Sequence, residues 1–135
     1  MTRKLAGTVI IDGMDDETFG SNEFGHSTQT IEMFLDAGQP ANSLQVVPLR
    51  FGGEVRIEAD VTAHVVDNSA IQVAGVGKLY EGDSENTDDL DDESKIVLTV
   101  PKGQSASFTC QLRNAGSGGG DTGTIAFFLT NSIVE

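Results

Sequence analysis

Tryptophan is absent from this 135-residue chain, tyrosine and cysteine occur once each, and histidine twice. Each shortage removes a class of chemistry. With no Trp and only Tyr80, few rings are available to stack on sugar faces. That counts against a carbohydrate-binding module, and against a glycosidase despite the many carboxylates. The lone Cys110 excludes an intrachain disulfide. Cys110, His26 and His64 fall on separate strands or loops, so tetrahedral zinc finds no ligand set. Neither histidine has a partner legible along the chain, and Cys110 alternates with Phe108 and Leu112 as a small core residue. Nucleophilic catalysis therefore has no visible constellation, and the expectation is a protein that is not an enzyme.

Positive charge is also scarce. Eight Lys and Arg stand against 21 Asp and Glu, a net charge of -13. Nucleic acid needs a basic footprint and anionic membrane surfaces need basic clusters, so both are excluded as partners. No apolar run approaches the ~20 residues of a membrane span. Two basic residues open the chain, but the apolar stretch behind them breaks at Asp12. No signal peptide is expected, and the chain as given reads as cytoplasmic, with a mature exported chain as the other option. An apolar content of 38% and a mean hydropathy of -0.13 suit a globular fold, and 135 residues fit one domain, 1–135.

What is present is alternation. Val55, Ile57, Ala59, Val61, Ala63 and Val65 alternate with Arg56, Glu58, Asp60, Thr62 and His64, the mark of a strand with one buried face. Residues 105–113 repeat the pattern with Ala106, Phe108, Cys110 and Leu112. Weaker strand signals cover residues 5–11, 28–35, 44–51, 71–80, 96–100 and 124–131. Pro48 inside one of them predicts an edge strand or a bulge, and Gly52-Gly53 predicts a tight hairpin turn. No helical periodicity is found. The expected fold is an all-β antiparallel sandwich of about eight strands. In general outline it resembles calcium-binding C2-like or jelly-roll sandwiches.

The densest feature is the segment 82–93, with seven carboxylates in twelve residues: Asp83, Glu85, Asp88, Asp89, Asp91, Asp92 and Glu93. Like charges this close repel unless water, salt or a cation screens them. If successive strands alternate in direction, the connections 12–27, 52–53, 81–94 and 114–123 emerge at one end. They hold 14 of the 21 acidic residues. Calcium takes six to eight oxygens from loops of this kind. The candidate ligands are Asp12, Asp15, Asp16, Asp88, Asp89, Asp91, Asp92 and Asp121. The competing reading is a solvated acidic rim. An EF-hand is excluded, because Asp88 to Glu93 lacks the central glycine and the spacing to a bidentate Glu. Magnesium, which keeps its waters, suits the pattern less well.

Two motifs are rejected. Gly118, Gly120 and Gly123 spell G-x-G-x-x-G, but a strand signal rather than a helix follows. Asp121-Thr122-Gly123 resembles the aspartic-protease triplet, yet glycines rather than an apolar strand precede it, and the resemblance is not carried over. Phe19 and Phe24 flank Gly20-Ser21-Asn22, which predicts a loop at 18–26 folding back, its rings pinned to the core or, as the alternative, exposed as an apolar contact for a partner. The functional expectation is a non-enzymatic calcium-binding module, for binding, adhesion or assembly, with a protein partner or a homo-oligomer. The alternative is a self-assembling structural subunit of a coat, fibre or virion, whose acidic loops only face solvent.

Overall fold

The computed structural model describes residues 1–16, 20–114 and 120–134. The glycine-rich residues 116–119, with Glu17 and Phe19, lie outside the described residues. The described chain is all-β: β1 (Thr2–Asp15), β2 (Glu23–Asp36), β3 (Asn42–Leu44), β4 (Leu49–Phe51), β5 (Val55–Val65), β6 (Ile71–Glu81), β7 (Leu90–Val100), β8 (Ser105–Arg113) and β9 (Thr122–Ile133). One sheet has the order β2-β1-β9-β8. The other has β5, β6 and β7 in sequence, with β3 and β4 both pairing the free side of β5. Every pairing is antiparallel. Among the described residues, no helix is long and apolar enough to cross a membrane.

The alternation explains the core. Val55, Ile57, Ala59, Val61 and Ala63 of β5 face Leu5, Val9 and Ile11 of β1 and Ile125, Phe127 and Leu129 of β9 across the sandwich, all buried. Where the sheets meet near the acidic end, Gly25, Gly13 and Gly123 stand in one cross-strand row. A Cβ at Gly13 or Gly25 would run into the Phe51 ring, and one at Gly123 into Ile57. The missing side chains are what let these two residues of the facing sheet pack down.

Nine strands replace the expected eight because Pro48 interrupts the run 44–51. Proline cannot donate to a ladder, so β3 and β4 are two short pieces of one edge. Gln29 of β2 covers the gap, its amide bonding Val47 N at 2.8 Å and Val47 O at 3.0 Å. The turn after β4 spans residues 52–54, with Gly52 at φ 67 and Gly53 at φ 74, values that favour glycine. Because both pieces run the same way, the extra strand leaves the alternation of ends intact.

Several strands are longer than the alternation predicts, and at the acidic end β1, β2 and β7 take acidic residues into their added stretches. β1 continues through Asp12 and Asp15, β2 begins at Glu23, and β7 begins at Leu90 and carries Asp91, Asp92 and Glu93. Phe24 therefore sits on β2, cross-strand from Met14 and 74% exposed. It does not pin a loop to the core.

Candidate metal centre

The four acidic connections do meet at one end. Gly82 N donates to Glu54 O at 3.2 Å, Gly53 N to Glu85 Oε2 at 3.0 Å, and Asp16 N to Asp121 Oδ1 at 2.8 Å. Three of these side chains turn towards one point. Glu81 ends β6 on its inward-facing side, following Leu79 and Gly77. Asp121 immediately precedes β9 and is 1% exposed. Asp91 owes its aim to an irregularity: Leu79 pairs Asp92 while Tyr80 pairs Leu90, so Asp91 is the extra residue of a β-bulge. A bulge redirects a side chain that regular alternation would send the other way.

Oxygens of Glu81, Asp91 and Asp121 all lie within 4.8 Å of one another, and the same holds for Asp15, Glu54 and Glu81. Two oxygens on opposite sides of a calcium at ~2.4 Å are ~4.8 Å apart, so either trio can converge on one ion. A cleft of about 360 Å³ opens here, lined by Glu54, Glu81, Asp83, Asp89, Asp91 and Asn114. Asn114 Nδ2 stands 3.2 Å from both Glu81 Oε2 and Asp91 Oδ2, a single amide between two carboxylates.

The electrostatics centre on Asp121. Its Oδ1 accepts the Asp16 amide, but its Oδ2 is buried with no hydrogen-bond donor among the described residues. The Asp121 carboxyl lies against Glu81, and two carboxylates in contact cannot both stay ionised without compensation. A hydrogen bond to Asp121 and burial together push the Glu81 carboxyl up to about 8. Burial, with the charges of Asp89 and Asp121, raises Asp91 as well. Without a bound cation, Glu81 therefore holds a proton near neutral pH.

The other expected ligands scatter. Asp12 faces outward on β1 and pairs with the ring Nδ1 of His26, whose Nε2 lies 3.1 Å from Thr28 Oγ1. Asp92 is occupied structurally, Oδ2 accepting Arg113 N at 2.8 Å and Oδ1 accepting Glu93 N at 2.9 Å. Asp16 contributes its backbone amide to Asp121, and its exposed carboxylate joins neither trio. Asp88 is exposed in the loop after β6 and joins neither; Asp89 lines the cleft without belonging to either. Of the eight candidates, Asp15, Asp91 and Asp121 fall in the trios. Glu81 and Glu54 were not anticipated. Glu81 is the next inward position after Leu79 in the alternation of 71–80, which is the sequence signal that points to it. Comparison with protein-family models, with curated proteins and with solved structures returns no match for this chain.

Proposed function

We propose that this chain is a non-enzymatic β-sandwich module whose acidic end binds calcium. Glu81, Asp91 and Asp121 are the central ligands, and Asp15 and Glu54 stand beside them. The observation that carries the reading is the Asp121 carboxyl, whose Oδ2 is buried with no fixed hydrogen-bond donor among the described residues and which lies within ion-binding reach of two further carboxyl groups. Leaving a charged acceptor buried and unpaired is expensive, and a divalent cation removes the expense while cancelling the repulsion. Binding then draws the connections at this end together, and the ordered surface serves adhesion to a protein partner or assembly.

The test is thermal unfolding of the intact chain in EDTA and in ~2 mM CaCl₂. Calcium at 100 times its Kd adds ~2.7 kcal/mol, several degrees in a domain of this size. A rise specific to calcium supports the reading. An equal rise with magnesium, or with sodium chloride at matched ionic strength, reduces the effect to screening and rejects it.

A second reading draws on a different surface. Phe34 and Phe128 are 53% and 50% exposed on the outer side of the β2-β1-β9-β8 sheet. A structural subunit that assembles through this side is the alternative. Light scattering after size-exclusion chromatography, over a hundredfold range of concentration, separates the two, since a strict 14.2 kDa monomer throughout rules out self-assembly.

A further inference from the structure

Arg56 is a buried cation close to the acidic end, 7% exposed on β5. Burying a guanidinium is costly unless its donors are used. Here Nε donates to Glu58 Oε1 at 2.8 Å, and the guanidinium carbon lies 4.3 Å from the centre of the Tyr80 ring. Glu58 and Tyr80 belong to β5 and β6, so these two contacts fix the guanidinium on its own sheet. The third contact reaches elsewhere. Nη1 donates to the main-chain carbonyl of Glu85 at 2.7 Å, and Glu85 lies in the middle of the loop 82–89.

That loop forms one wall of the cleft through Asp83 and Asp89. Its other bonds are internal or near its ends: Thr87 N to Ser84 O at 3.1 Å, Glu81 N to Asp89 O at 3.1 Å, Gly82 N to Glu54 O at 3.2 Å. Among the described residues, the middle is held by Glu85 alone, through its carbonyl to Arg56 and its carboxylate to Gly53 N. A charge-assisted bond to a buried, immobilised donor is the stronger kind.

We infer that Arg56 is the positioning residue of the acidic cleft: by gripping the Glu85 carbonyl it latches the loop 82–89 onto the sheet and keeps Asp83 and Asp89 at the cleft wall. The latch stands on the Arg56 contacts. Its consequence for calcium rests on the reading given above.

Two roles for Arg56 predict opposite signs. If it acts only as a nearby positive charge, removing it strengthens cation binding. If it positions the loop, removing it weakens binding. The test compares the full chain with Arg56→Met, which keeps an apolar stem without charge or donors, and with Lys78→Met as charge control. Lys78 is on β6, and its ammonium pairs with Asp60 at 3.0 Å. Hydrogen exchange in EDTA is expected to quicken about tenfold for amides in 82–89 of Arg56→Met, while β9 amides keep their wild-type rates. Calorimetric titration with calcium is expected to show about tenfold weaker binding by Arg56→Met, and unchanged or tighter binding by Lys78→Met. Unchanged exchange in the loop overturns the inference, and so does tighter calcium binding by Arg56→Met. If the wild-type chain takes up no calcium, the calcium reading falls and the exchange rates alone decide the latch.

Discussion

Both ends of this sandwich bury polar side chains, and they do so in opposite ways. At the end away from the acidic connections, Asn131 is 0% and Arg3 2% exposed. Asn131 uses its whole amide: Oδ1 accepts from Arg3 Nε at 2.9 Å, and Nδ2 donates to Ser69 O at 2.8 Å and Val100 O at 3.0 Å. Its main-chain N–H donates to Gln104 O. One side chain thus ties β1, β9, the 3₁₀ turn at Asp67–Ser69 and the end of β7. At the acidic end, Asp121 is buried as deeply, yet its Oδ2 has no fixed donor among the described residues and its carboxyl group neighbours those of Glu81 and Asp91. The first arrangement is complete without help. The second leaves a buried oxygen without a fixed donor, and that asymmetry is the ground on which the acidic end is proposed as a site.

The sharpest way to break the comparison is to disturb the complete end. Asn131→Ala leaves the Arg3 donor and two carbonyls unsatisfied and opens a small void. Each buried orphan costs about 1–3 kcal/mol, so a loss of about 3–5 kcal/mol is expected in urea denaturation, a large part of any domain's stability. A loss under about 1 kcal/mol would show that water already serves this end. The matching change at the acidic end has the reverse sign. In Asp121→Asn, Oδ1 still accepts from Asp16 N, while the new NH₂ donates towards Glu81. In EDTA a gain of about 1–2 kcal/mol is expected, together with loss of the calcium response. Destabilisation in EDTA would mean the carboxylate is already well served, and the contrast between the ends would collapse.

pH gives a smaller, graded test. Folding raises Glu81 from its ordinary 4.5 to about 8, chiefly through the hydrogen bond with Asp121. Between those values the folded state holds a proton that the unfolded state has lost. Stability in EDTA therefore falls as pH rises from about 4.5 to 8 and levels off above. Calcium needs the carboxylates ionised and displaces that proton, so its stabilising increment grows over the same window. Chemical denaturation at several pH values, with and without calcium, reads both slopes. A calcium increment that is flat from pH 5 to 8 would detach the ion from Glu81.

How far the chain's own pattern leads is instructive at particular residues. The sandwich was legible because β5 and β8 alternate cleanly, and the polarity of its ends followed from counting connections. The missing strand boundary at Pro48 did no harm, since β3 and β4 lie on one edge in one direction. The site was legible only in part. Density of charge pointed to 82–93, but Asp88 and Asp92 are respectively solvent-facing and spent on the Arg113 amide. Asp91 enters the cleft through a bulge, which composition does not announce. Glu81 and Glu54 lie outside the acidic run, so density could not find them. The fold, rather than local charge density, decides which carboxyl groups converge.

The smallest expected effect follows from that selection. Asp88 is exposed, belongs to neither trio and accepts no hydrogen bond among the described residues. Asp88→Asn removes one charge from a total of -13. Repulsion among exposed charges is screened over ~8 Å at physiological salt, so stability should rise by at most about 0.5 kcal/mol, and calcium affinity should fall less than about threefold. Asp91→Asn, three residues along in the same acidic run, should instead abolish the calcium-dependent rise in Tm, because a ligand inside the cleft is lost. If both variants weaken calcium equally, the ion senses only the diffuse field of the acidic end and has no fixed ligands. Equal loss would also remove the distinction between this end and any solvated acidic rim.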